Sequence, residues 1–132
     1  DGEIEYYSNG FYSLTTTTSE EFSNLRKNYI KKNTASRRLD DVLSTSPFSG
    51  KQIDFLSIDA EGNDFEVLQS LNFEVYKPVV VAIETQEKFL NKVIETEEFI
   101  FLKNKGYDLI AWCGLTLIFA NKNFSKNNCI SF

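Results

Sequence analysis

Histidine and methionine are both absent from the 132 residues. Without histidine there is no Ser-His or Cys-His catalysis, and no metal held by imidazole. Without methionine, and with Asp1 as its first residue, the sequence reads as a processed chain, an excised domain or a fragment. Two cysteines, Cys113 and Cys129, are too few and too late for a disulfide framework. No apolar run approaches the ~18 residues a membrane span needs, and no basic-then-apolar start marks a secretory signal, so the chain is read as cytoplasmic with no membrane span. No glycine-rich loop that would cradle phosphate is present. Basic residues number 14 against 19 acidic ones, for a net charge of -5. An acidic chain with no dense basic patch is a poor partner for nucleic acid or an anionic membrane surface.

The composition, 42% hydrophobic and 25% charged, suits one small domain with a real core. Residues 3–15 read as a strand, a turn at Asn9-Gly10 and a second strand. Thr18-Ser19-Glu20-Glu21 resembles a capping box, and Phe22, Leu25, Tyr29 and Ile30 recur at helical spacing behind it, so the segment reads as a short helix or an ordered loop. Residues 36–39 read as extended, and Asp40-Asp41-Val42-Leu43 as a capped helical turn. Residues 53–58 and 79–83 are short, mostly apolar runs of the kind buried on both faces of a parallel sheet. A helix over 64–72 is predicted between them, with Phe65, Leu68 and Leu71 on one face. Helices are predicted from about Gln86 through Val93 and from Glu97 to Lys105, the second stopped by Gly106. Residues 107–112 and 115–120 read as strands joined around Gly114, close enough to be antiparallel. Beyond 120 lies an Asn- and Lys-rich tail, 121–132. The fold class is α/β.

The densest chemical signal is Ser57-Ile58-Asp59-Ala60-Glu61-Gly62-Asn63-Asp64. Two carboxylates, Asp59 and Glu61, stand where a buried strand ends and a helix begins, the edge of an open α/β sheet at which ligands bind. Gly62 permits a sharp turn there. Glu84 ends the second apolar run and falls beside Asp59 if the two strands are neighbours. Three carboxylates at one edge could hold a divalent cation, bind sugar hydroxyls or neutralise a cationic ligand. The plainer reading is that Asp59 and Glu61 cap a helix and Glu84 pairs with a lysine. Asp40 and Asp41 read as a helix cap. Trp112, Phe99, Phe101 and Phe119 read as core, and Cys113 as a small buried apolar residue. The basic cluster Arg26, Lys27, Lys31, Lys32, Arg37 and Arg38 reads as a solvated face.

Three motifs in order, Arg38-Leu39-Asp40-Asp41-Val42-Leu43, then Ile53-Asp54-Phe55-Leu56-Ser57-Ile58-Asp59-Ala60-Glu61-Gly62 with Phe65-Glu66-Val67-Leu68, then Pro78 to Glu84, resemble the C-terminal half of an FkbM-type methyltransferase. The resemblance covers about residues 1–120, with the opening Asp1 to Tyr7 similar to the segment after that family's third strand. It implies a Rossmann-like (class I) methyltransferase sheet, here its C-terminal part, ending in an antiparallel strand pair. It also implies S-adenosylmethionine (SAM) as cofactor, and O-methylation of a hydroxyl on a sugar, other glycan or small-molecule natural product. Asp59 would then act as general base or acceptor-orienting residue, Glu61 would shape the same pocket, and Glu84 would be its third member. A divalent metal on these carboxylates is an alternative way to orient the acceptor, although no metal ligand is assigned. The family's D-x-G-x-N-x-G-type loop and its acidic residue after the second strand are absent, so no cofactor-binding residue is assigned. Many members carry Lys where this chain has Ser57, and His where it has Gln86. The chain alone is therefore expected to be inactive. The competing reading is a non-catalytic or truncated α/β module that self-associates or pairs with a partner half.

Overall fold

The computed structural model describes residues 2–9, 18–24 and 29–123, without the side chain of residue 22. Strand β1 (Gly2–Ser8) pairs antiparallel with β2 (Ile30–Ser36) in a two-stranded ribbon, Gly2 opposite Ser36 and Ser8 opposite Ile30. Between them lies the short helix α1 (Glu20–Asn24). The second strand expected over residues 11–15 lies outside the described residues. The helical reading that ran on to Tyr29 and Ile30 is corrected: Ile30 opens β2. That strand, Ile-Lys-Lys-Asn-Thr-Ala-Ser, has no apolar alternation because all but one of its residues are exposed. Its register comes from the ladder, helped by the Lys31–Glu5 ion pair at 2.7 Å.

The main sheet begins with β3 (Phe55–Ile58) and β4 (Val80–Glu84), which are parallel, with Phe55 opposite Val80 and Ile58 opposite Ile83. Helix α3 (Asp64–Gln69) lies in the crossover that a parallel pair requires. Strands β5 (Tyr107–Cys113) and β6 (Thr116–Asn121) form the expected antiparallel pair. Their placement was not legible: β6 inserts between β4 and β5, giving the order β3-β4-β6-β5. β6 alone runs against the other three strands.

One face of this sheet makes the core. Val81 sits opposite Phe119 and Ile83 opposite Leu117, and all four are fully buried. They pack against Leu68 of α3 and Leu102 of α5 (Glu97–Asn104). Thr96 caps α5, its side chain accepting the Phe99 N–H. Phe73 stacks edge-on against both Phe101 and Tyr107, at 5.5 and 5.7 Å between ring centres. The Tyr107 hydroxyl donates to the Pro78 carbonyl at 2.6 Å, tying the start of β5 to the entry of β4. A bulge between Leu109 and Ala111 leaves Ile110 partly exposed and turns both Leu109 and Trp112 toward the core. Phe119 is core as the sequence suggests, and Phe99, Phe101 and Trp112 pack on it half-buried.

Four differences follow from local packing. The helix expected from Gln86 is a single turn, α4 (Leu90–Val93), because only Val93 on it reaches the core. The helix expected over 64–72 ends at Gln69, and Leu71 is buried just beyond it. Cys113 is exposed, not buried, because it ends β5 opposite Thr116 at the tip of the hairpin. β6 runs through Asn121, and residues 124–132 of the expected tail lie outside the described residues. Among the described residues, no helix is long and apolar enough to cross a membrane.

Candidate functional site at the carboxyl edge of the sheet

Strands β3 and β4 run in the same direction and stay in register to their ends, so Asp59, one step past Ile58, emerges beside Glu84. The chain then turns at once. Glu61 has φ 51 and Gly62 has φ 98, both left-handed. Glycine takes that conformation freely, whereas the glutamate takes it at a cost.

The Asp64 carboxylate holds this turn. It accepts the Ala60 N–H at 3.0 Å through one oxygen and the Gly62 N–H at 3.2 Å through the other. The Asn63 N–H closes the same loop on the Ala60 carbonyl at 3.2 Å. The Asn63 side chain donates to Thr18 Oγ1 at 2.6 Å, linking the turn to the segment before α1. Asp64 thus brings a third carboxylate to the edge. Asp59, Asp64 and Glu84 each offer an oxygen, and these oxygens lie within 4.8 Å of one another.

Sequence reasoning placed Asp59, Glu61 and Glu84 together. The structure joins Asp59 and Glu84 and adds Asp64, while Glu61 stands exposed on the turn, outside that close set. Asp64 was missed because an acidic residue in the first turn of a helix is ordinary. The signal was its spacing, two residues beyond a glycine and five beyond a strand-ending aspartate.

Glu84 is the electrostatically perturbed member. Partial burial, then the charges of Asp59 and Asp64, hold its carboxyl above the ordinary glutamate value, and a hydrogen bond from Gln86 offsets part of this. Gln86 Nε2 donates to Glu84 Oε1 at 3.0 Å. The partner of Glu84 is therefore an amide, not the lysine of the plainer reading. Asp59 is exposed. Beside the edge opens a cleft of about 280 Å³, with Asp64, Glu84, Gln86 and Glu98 on its wall and Phe65 as an apolar surface. Asp59 and Glu61 lie outside that wall. An acidic, half-open cleft of this kind suits hydroxyl groups or a positive charge.

Asp40 and Asp41 lie elsewhere, and not as the helix cap expected of them: the N-cap is Arg38, and both aspartates stand within the first turn. Arg38 grips Asp40 with two hydrogen bonds, 3.1 and 3.0 Å, and donates a third to the Ser70 carbonyl at 3.1 Å. Ser70 Oγ accepts the Leu39 N–H at 3.0 Å. This motif fastens α2 (Leu39–Ser44) to the end of α3 and takes no part in the acidic edge.

A mixed sheet with three co-directional strands, and carboxylates meeting where β3 and β4 end, is an α/β architecture of the kind that binds ligands at that edge. The chain matches the methyltransferase FkbM domain over residues 1–109 and belongs to that family. No curated protein and no solved structure matches it.

Proposed function

We propose that the chain forms the acceptor-facing part of a SAM-dependent O-methyltransferase with a Rossmann-like sheet, acting on a hydroxyl of a sugar or natural product. The observation that carries this reading is the meeting of Asp59 and Glu84 at the carboxyl edge of parallel strands, in a chain of the FkbM family. The cofactor would supply a methyl group on a positively charged sulfur. The residues present fit that end of it, because the carboxylates around Glu84 face one another without a cation among the described residues. They supply no counterpart to the glycine-rich loop that takes the adenosine end, so the 132 residues alone are read as inactive.

In this reading Asp59, exposed and with no hydrogen-bond partner among the described residues, accepts the proton of the acceptor hydroxyl. Glu84, kept above its ordinary pKa, orients the same hydroxyl, with Gln86 fixing its rotamer. Glu61, on the outer turn, contacts the acceptor's flanking hydroxyls. An exposed free thiol at Cys113 suits a reducing, cytoplasmic setting.

The test is transfer of labelled methyl from SAM to a panel of hydroxylated glycans and small molecules. The protein used carries the cofactor-binding half as well. Asp59→Asn should lower turnover about 10²–10⁴-fold, the usual share of a general base. Full activity in that variant would remove Asp59 from the chemistry. A second reading, a non-catalytic module that pairs with another chain, is favoured by one observation. Among the described residues β3 is bonded on one side only, and its Phe55 is 60% exposed. Micromolar, 1:1 binding of SAM by the isolated chain would argue against it.

A further inference from the structure

Thr116 stands in line with the acidic edge. It opens β6, pairing with Glu84 on one side and Cys113 on the other, so the three residues form one row across β4, β6 and β5. Residues directly opposite in an antiparallel pair project from the same face of the sheet, with Cβ atoms about 4.5–5.5 Å apart. Their neighbours Ile83, Leu117 and Trp112 turn to the core. Alternation therefore sends Glu84, Thr116 and Cys113 to the opposite face, at the edge where Asp59 emerges beside Glu84.

Thr116 is half-buried and its hydroxyl makes no hydrogen bond among the described residues. Glu84 takes the Gln86 amide at Oε1, and its Oε2 has no partner among the described residues. A carboxylate accepts hydrogen bonds and a threonine hydroxyl can donate one. Set about one strand spacing apart, the two bracket a ligand hydroxyl that donates to Glu84 and accepts from Thr116.

We propose that Thr116 is an acceptor-binding residue that reads a second hydroxyl next to the one methylated, so that the acceptor is a diol of the sugar type and not a lone alcohol or phenol. The inference rests on the methyl-transfer reading for the reacting hydroxyl, which that reading holds between Asp59 and Glu84. The gap between Glu84 and Thr116 is the next one along the same edge, and it takes the neighbouring hydroxyl of the same ring. A compound with a single hydroxyl leaves that gap unfilled and forgoes the Thr116 hydrogen bond. Cys113, next in the row and exposed, lies at the rim of the bound ring.

Cys113 supplies a reporter that needs no turnover. The sequence has two cysteines, so the whole chain carrying Cys129→Ser keeps Cys113 as its one thiol. Its alkylation by iodoacetamide is timed with and without the methyl glycosides of glucose, mannose and galactose, with cyclohexanol and benzyl alcohol as single-hydroxyl controls. At least one glycoside should slow alkylation several-fold, and the single alcohols should not. Thr116→Val, which keeps the branched shape of a strand residue, should abolish the protection, and Thr116→Ser should retain it. In the protein that carries the cofactor-binding half, Thr116→Val should raise KM about three- to tenfold with kcat unchanged. Protection by a glycoside without methyl transfer would support Thr116 as a sugar-binding residue and count against the methyl-transfer reading alone. No protection by any glycoside up to about 0.1 M, where even a millimolar dissociation constant saturates, overturns the proposal. So does protection that Thr116→Val leaves intact.

Discussion

Replacing Glu84 with glutamine should stabilise the fold at neutral pH, although Glu84 is a candidate site residue. The carboxylates of Asp59 and Asp64 come within 4.8 Å of it. At that separation two like charges repel by about 1 kcal/mol in a water-like dielectric and about 3.5 kcal/mol at an effective value near 20. Asp59 is exposed, and Asp64 is already engaged by two backbone N–H groups. Both facts place the sum near the lower limit, about 1–2 kcal/mol for the pair of neighbours. Glutamine removes the charge and keeps an oxygen to accept the Gln86 hydrogen bond. For 132 residues the gain corresponds to a rise in melting temperature of roughly 4–7 °C.

The gain must depend on pH, and its sign is determined. The folded-state pKa of Glu84 is raised, so over the window between the unfolded and folded values the native state binds more protons than the unfolded one. Stability then falls as pH rises through that window. Below the ordinary glutamate pKa of about 4.3 the side chain is neutral in both states and the penalty vanishes. Thermal melts of the two proteins should therefore differ at pH 7 and converge at about pH 4. Asp64→Ala supplies the contrast: it also removes a negative charge, but strands the Ala60 and Gly62 N–H groups and opens the turn. It should destabilise the chain by about 1–2 kcal/mol. Lower stability of Glu84→Gln at pH 7, or a gain that persists unchanged in acid, would refute the electrostatic account.

Tyr107→Phe should cost about 1–3 kcal/mol in urea denaturation, because the ring keeps its contact with Phe73 while the buried Pro78 carbonyl loses its donor. Leu68→Ala, at a fully buried position under the sheet, should cost about 2–5 kcal/mol by the same measurement, and a smaller loss would mean the site collapses on the cavity. Arg38→Ala should speed amide hydrogen exchange in residues 39–45 while leaving the sheet protected, because its bonds to Asp40 and the Ser70 carbonyl fasten α2 to α3.

The strands that carry the site were the legible part of the sequence. Val80 to Ile83 and Phe55 to Ile58 are apolar runs bounded by turn residues, and a parallel pair joined by a helix follows from their spacing. The meeting of Asp59 with Glu84 was then a matter of both residues ending their runs. What escaped was non-local. β2 has no apolar face, so nothing in Ile30–Ser36 distinguishes it from a polar helix until β1 pairs with it. The insertion of β6 between β4 and β5 depends on cross-strand packing of Phe119 and Leu117 against Val81 and Ile83, which periodicity within one strand does not encode. The bulge at Ile110 shifts Trp112 to the core side, a change of face that a regular strand from Leu109 would not make.

The acidic edge sets like charges side by side, which opposes folding. Every ion pair among the described residues lies away from it: Lys103 and Lys122 meet Asp108, Lys105 meets Glu74, Lys92 meets Glu95, Arg38 meets Asp40 and Lys31 meets Glu5. A lysine in place of Gln86 would neutralise Glu84, yet an amide stands there, which fixes the carboxylate without cancelling its charge. Asp64 earns its place by closing the turn, but Asp59 and Glu84 make no comparable structural contact, and their mutual repulsion works against the fold. A pair of carboxylates kept close, unneutralised and beside an open cleft is what a site for a hydroxyl or a cationic group requires. The same pair is what makes Glu84→Gln a stabilising change, so a variant that gains stability and loses methyl transfer together would tie both effects to one charge.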